Sequence, residues 1–140
     1  MKRLLLPFLL IAFLASSQVD SNRLIVTKYA DFYDYNRSKK EYVHNNADSG
    51  WLDINIKPEK DYYLIEIDND GEESKVWWEH SDEKVDSFDA DEHDIYYTED
   101  GRKVIFWYND QEIYFYGNYS ESLGRYLDLM KLTKIETYER

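Results

Sequence analysis

Five carboxylates and one imidazole crowd into nine positions at Asp86, Asp89, Asp91, Glu92, His93 and Asp94, with Asp82 and Glu83 just upstream. Hard divalent cations favour clustered carboxylate oxygens, so Asp89, Asp91, Glu92 and Asp94 are the candidate ligands of a calcium ion, the one cofactor this chain suggests. The same composition also serves simply to solvate a connection between strands. His93 alone lacks the paired spacing of a zinc motif. A second acidic turn, Glu66-Ile67-Asp68-Asn69-Asp70-Gly71, begins like an EF-hand loop, but its twelfth position is Trp77, where a bidentate Glu is required. It reads as a hairpin tip.

Catalysis has little to recruit. His44, His80 and His93 are the only imidazoles, no Ser lies in a Gly-x-Ser-x-Gly elbow, and no His-Glu-x-x-His motif occurs. With 29 acidic residues, any carboxylate pair chosen for glycoside chemistry would be arbitrary. No catalytic residue is assigned.

Aromatic residues offer more. The chain holds 14 Tyr, 6 Phe and 4 Trp, with doublets at Tyr62-Tyr63, Trp77-Trp78, Tyr96-Tyr97 and Trp107-Tyr108. Neighbours on a strand face opposite ways, so each doublet sends one ring towards the core and the other outwards. Exposed Tyr and Trp suit glycan stacking or protein contact, which makes Trp77, Trp78, Tyr96, Tyr97 and Trp107 the candidate binding residues. Aromatics also favour strands for structural reasons alone.

The elements that must position these groups are β-strands. Runs of five to eight apolar and aromatic residues recur between clusters of Asn, Asp, Gly and Pro. Leu52, Ile54 and Ile56 alternate with polar neighbours, and Val104, Phe106 and Tyr108 share one face. Nine strands are predicted at about 23–33, 41–44, 51–56, 62–68, 75–79, 85–89, 94–98, 103–108 and 112–117. Asp70-Gly71 and Asp100-Gly101 predict tight type I′ hairpins, and Asn109-Asp110 a third turn. Leu123, Tyr126, Leu127 and Met130 fall at i, i+3, i+4 and i+7 behind a capping Ser120, which predicts a short C-terminal helix; residues 132–138 alternate as a strand would or continue that helix. The expected fold is all-β and mainly antiparallel, an up-and-down meander closing into a small barrel or stacking as a sandwich.

Lys2 and Arg3, the apolar run Leu4 to Leu14 and the small residues Ala15-Ser16-Ser17 have the form of a secretory signal peptide, cut between Ser17 and Gln18. Eleven apolar residues fall short of the roughly 20 that span a membrane. One domain, 18–140, should follow. The absence of cysteine excludes a lipid-anchored lipoprotein, disulfides and thiolate chemistry, and suits a bacterial periplasm or exterior. Loss of Lys2 and Arg3 takes the formal net charge from −12 to −14, which argues against nucleic acid and anionic membranes as partners. In a eukaryotic host, Asn36-Arg37-Ser38 and Asn118-Tyr119-Ser120 would be glycosylation acceptors.

The expected function is therefore that of an exported, soluble, non-catalytic β module that binds a protein or glycan through an aromatic sheet face. The first alternative is a carrier of a small apolar ligand, for which the architecture would resemble the lipocalins. Their Gly-x-Trp signature is missing here, Gly50 and Trp51 being adjacent. An enzyme with an unrecognised site is the third.

Overall fold

The computed structural model describes residues 20–85 and 92–140, and these form an antiparallel sheet that closes on itself. The leader at 1–17, its cleavage point, and most of the strand expected at 85–89 lie outside the described residues. The strands are β1 Arg23–Asn36, β2 Glu41–Pro58, β3 Tyr62–Ile67, β4 Ser74–Ser81, β5 His93–Thr98, β6 Lys103–Trp107, β7 Glu112–Tyr116, β8 Tyr119–Ser120, β9 Arg125–Tyr126, β10 Asp128–Thr133 and β11 Glu136–Glu139. Each strand from β1 to β6 pairs with the next, β7 pairs with β10, and β10 pairs back onto β1. Eight strands thus make a ring, and a sheet closed on itself has no free edge where the ladder is complete.

Two apparent breaks are local. β10 and β11 run along the same side of β1 in one register, Tyr29 opposite Thr133 and Val26 opposite Glu136. Between them Lys134 adopts φ 55°, and buried Thr27 donates its hydroxyl to the Thr133 carbonyl at 2.5 Å. Likewise β8 and β9 continue the β7–β10 hairpin in register, through Gly117 N–H to Asp128 O at 2.9 Å and Leu127 N–H to Asn118 O at 2.7 Å.

The predicted C-terminal helix is absent among the described residues. Ser120 does cap a turn, its Oγ accepting from Leu123 N–H at 3.3 Å, and Gly124 N–H closes it on Ser120 O at 2.8 Å. Gly124 then takes φ 68°, a left-handed conformation that ends the turn, and Arg125 re-enters the sheet. A turn this short gains little by itself, whereas β10 gains partners on both edges and buries Leu129 and Leu132.

The other turns also differ in detail from expectation. At 99–101 only Gly101 is left-handed (φ 85°), with Gly101 N–H on Thr98 O at 2.9 Å, which is a three-residue loop instead of a two-residue type I′ turn. The β6–β7 connection has the same form, with Gln111 (φ 54°) in the place of the glycine. In the β3–β4 connection the left-handed residues are Asp68, Asn69 and Gly71, not the Asp70-Gly71 pair. The separate strands expected at 41–44 and 51–56 are one bulged strand, β2, whose register against β1 shifts twice.

The ring interior holds the core: Ile25, Ala30, Ile54, Ile56, Val104 and Leu132 are all buried, joined by a cluster of aromatic rings. Trp78 stacks on Tyr96 at 4.1 Å between centroids, meets Tyr63 at 4.8 Å, and donates its indole N–H to Glu59 O at 3.0 Å. The chain's end is tied down by Arg140, which reaches Ser21 O at 2.7 Å and the Glu59 carboxylate at 2.5 Å.

Candidate functional site

The β1–β11 arm extends beyond the point where β7 turns back to β6, so β11 keeps β1 on one edge and, among the described residues, meets no strand on the other. A cavity of about 680 Å³ opens there, between the arm and the β6–β7 turn. Its apolar wall is Ile25 from β1, Phe106 from β6, Ile113 from β7 and Ile135 from the β10–β11 link. These follow from strand alternation: Ile25 lies opposite Thr137, and Phe106 opposite Ile113, so their side chains fall on the same inward face.

Tyr108 carries that inward face one step past β6 and lines the cavity. Its hydroxyl donates to Asp94 Oδ2 at 2.5 Å, and the other Asp94 oxygen accepts from His80 Nε2 at 3.0 Å. A carboxylate can only accept, so the bond assigns the His80 proton to Nε2. Asp94 is 1% exposed, a buried charge that is tolerated because both oxygens are hydrogen-bonded. Burial, the Asp94 bond and the Asp94 charge, in that order, push the Tyr108 hydroxyl far above its ordinary value. Tyr108 therefore stays neutral, and its single proton is committed to Asp94.

Polar groups rim the opening. Asp20, Arg23, Glu112 and Glu136 complete the lining, with Glu112, opposite Trp107, and Glu136, opposite Val26, at outward-facing strand positions. Burial pushes Glu112 above the usual carboxylate range, Asp110 and Asp31 push it further, and Lys131 opposes them. Glu112 forms no ion pair among the described residues. The Lys131 ammonium lies instead over the rings of Tyr33 and Tyr114, at 4.5 and 4.7 Å. Trp107 Nε1 is buried and, among the described residues, without a hydrogen-bond partner.

The five candidate aromatics divide between the two faces of the sheet. Trp78 and Tyr96 point into the core, while Trp77, Tyr97 and Trp107 lie on the outer side. Trp77 is 48% exposed, edge-on to Tyr62 at 5.2 Å, with Lys75 Nζ 4.3 Å from the Tyr62 centroid. Tyr97 donates to Glu83 at 2.7 Å, and Trp107 lies tilted against His93, with ring centroids 4.8 Å apart. Trp51, unmarked by any doublet, is the most exposed large aromatic among the described residues at 76%, edge-on to Tyr29 with Lys134 5.0 Å above it.

Of the proposed calcium ligands, Asp89 and Asp91 lie outside the described residues. Glu92 is exposed, whereas Asp94 turns inwards to His80 and Tyr108. No group of three or more metal-ligating side chains occurs among the described residues. His44 sits on the outer face between Asp31 at 2.8 Å and Asn46 at 2.7 Å. His93 Nε2 accepts from Val85 N–H at 3.0 Å.

Neither the cavity nor the Tyr108–Asp94–His80 group emerges from motif reading. One signal for the latter exists, since Asp94 shares parity with Tyr96 and Thr98 and so puts a carboxylate on an aromatic, inward face. Comparison of the chain with models of protein families, with curated proteins and with solved structures finds no match.

Proposed function

We propose that this chain is an exported, non-catalytic binding module that takes a small, apolar-bodied ligand in the open end of its closed sheet. The observation that carries this reading is the cavity of about 680 Å³ beneath the β11 arm, walled by Ile25, Phe106, Ile113 and Ile135. That volume lies within the roughly 300–1,000 Å³ of small-molecule sites, and the mixture of apolar walls with a few polar groups is their usual composition. Export rests on Lys2, Arg3, the apolar run and Ala15-Ser16-Ser17.

Binding of the neutral, environment-sensitive dye N-phenyl-1-naphthylamine tests the reading. Saturable binding at one equivalent is expected, with energy transfer from the protein's tryptophans to the dye. Ile135→Trp, which puts an indole into the space, should abolish it. Absence of binding, or binding that Ile135→Trp leaves unchanged, would refute the proposal.

A second reading has its own observation. The Trp77–Tyr62 pair with Lys75 presents an amphipathic outer platform suited to a glycan or protein partner. Trp77→Ala should remove such binding without disturbing the cavity, and unchanged retention on a glycan or protein array would exclude this face.

A further inference from the structure

Beside β11 the ring is, among the described residues, one strand short. The β7 ladder starts at Ile113 opposite Leu132, whereas β11 carries the line of β10 on along β1 as far as Glu139. The position that a longer β7 would fill is the cavity itself. Arg140 N–H bonds to Asn22 O at 2.9 Å, and main-chain groups alternate sides along a strand. Those of Tyr138 and Glu136 therefore also face β1, and those of Thr137 and Glu139 face the open slot. Thr137 lines the cavity, so its unpaired main chain lies beside the apolar wall. A row of unpaired N–H and C=O groups is a template for another extended chain.

The side chains of β11 set what such a chain would carry. Thr137 lies opposite Ile25 on the inward face, so a residue added opposite Thr137 points into the cavity, against Ile25, Phe106 and Ile113. Its neighbours point outwards, beside Glu136 and Tyr138. Glu136 is exposed, accepts the Tyr138 hydroxyl, and forms no ion pair among the described residues. Lys134, the nearest cation in sequence, is held over the rings of Tyr29 and Trp51 at 4.9 and 5.0 Å. A second copy of β11, with its own Glu136 and Glu139 on a chain of formal net charge −12, would meet like charge here. A basic strand meets opposite charge.

We propose that the open edge of β11 takes an extended basic peptide, antiparallel to it, with one apolar side chain inserted in the cavity and lysine or arginine on either side facing outwards by Glu136. This rests on the cavity-binding reading and names the class of ligand whose apolar body fills the cavity.

The test is calorimetric titration of the full chain with the peptide acetyl-KTKLKTK-amide, which should bind at one equivalent. Replacing its leucine by serine should weaken binding roughly tenfold, since the buried side chain is lost. Methylating the leucine amide nitrogen, which faces β11, should also cost roughly tenfold, whereas methylating that of the following lysine, which faces away, should cost no more than about twofold. Acetyl-ETELETE-amide should bind most weakly, and Glu136→Gln should weaken the basic peptide roughly threefold. Thr137→Pro removes an N–H that points away from β1, so the variant should unfold thermally like the parent and lose the peptide. Equal binding of the two methylated peptides, or tightest binding of the acidic one, would overturn the proposal. So would a dimer of the chain alone that Thr137→Pro dissociates, which would assign the edge to a second copy. Failure of every peptide with a parent chain that still binds N-phenyl-1-naphthylamine would overturn the peptide assignment and leave the cavity reading intact, and failure of peptides and dye together would overturn both.

Discussion

Tyrosine is the residue through which this protein should respond to pH. Burial is the leading cause that raises Tyr63 and Tyr116, each to about 12, from the ordinary 10.0. An unfolded chain releases these protons near pH 10 while the folded chain keeps them until about pH 12. Between those values the unfolded state binds fewer protons, so stability is whole below pH 10 and falls as pH rises towards 12. For Tyr63, which is almost wholly buried, the loss is of order 2 kcal/mol. Urea unfolding at pH 8 and pH 12 should show a smaller loss for Tyr63→Phe than for the parent, and an equal loss would refute the assignment. The burial of Tyr63, Trp78 and Tyr96 was legible as one half of each doublet. Which member points inwards was not, because parity is set by strand pairing beyond the doublet itself.

At the scale of elements, the β7–β10 hairpin depends on a close approach that no periodicity reveals. A Cβ on Gly117 would stand 2.0 Å from Asp128 Oδ1 and 2.6 Å from its Cγ. That carboxylate is not free to yield, since its Oδ1 accepts from Asn118 N–H at 2.7 Å. Gly117→Ala should therefore cost about 1–3 kcal/mol by chemical denaturation, and much less when made in an Asp128→Ala background. Additive costs in the double variant would show that the clash is not the cause. Strands β3 to β7 were readable because alternation and turn residues agree over short spans. The helical spacing of Leu123, Tyr126, Leu127 and Met130 misled, because one turn of helix competes poorly with a strand position paired on both edges. Loop types were misplaced by a residue or two, since Asp-Gly supplies left-handed φ in a three-residue loop as well as in a two-residue one.

For the molecule as a whole, closure is what organises the core and what opens the site. Leu132 is fully buried on the strand that completes the ring, so Leu132→Ala should cost about 2–5 kcal/mol. Leu123, at the hairpin tip, should cost no more than about 0.5 kcal/mol when changed to Ala. Equal losses at the two positions in a denaturation experiment would contradict the strand assignment of the C-terminal segment. By itself the sequence determined an all-β, cysteine-free, acidic chain, its hairpin rhythm and the splitting of its aromatic doublets, because these depend on composition and on near neighbours. Only the tertiary structure decided that β10 returns to β1, that β11 runs past β7 to leave a cavity, and that Asp94 joins His80 to Tyr108. Those contacts join residues brought together by sheet closure, and no local pattern encodes where a sheet's two ends will meet.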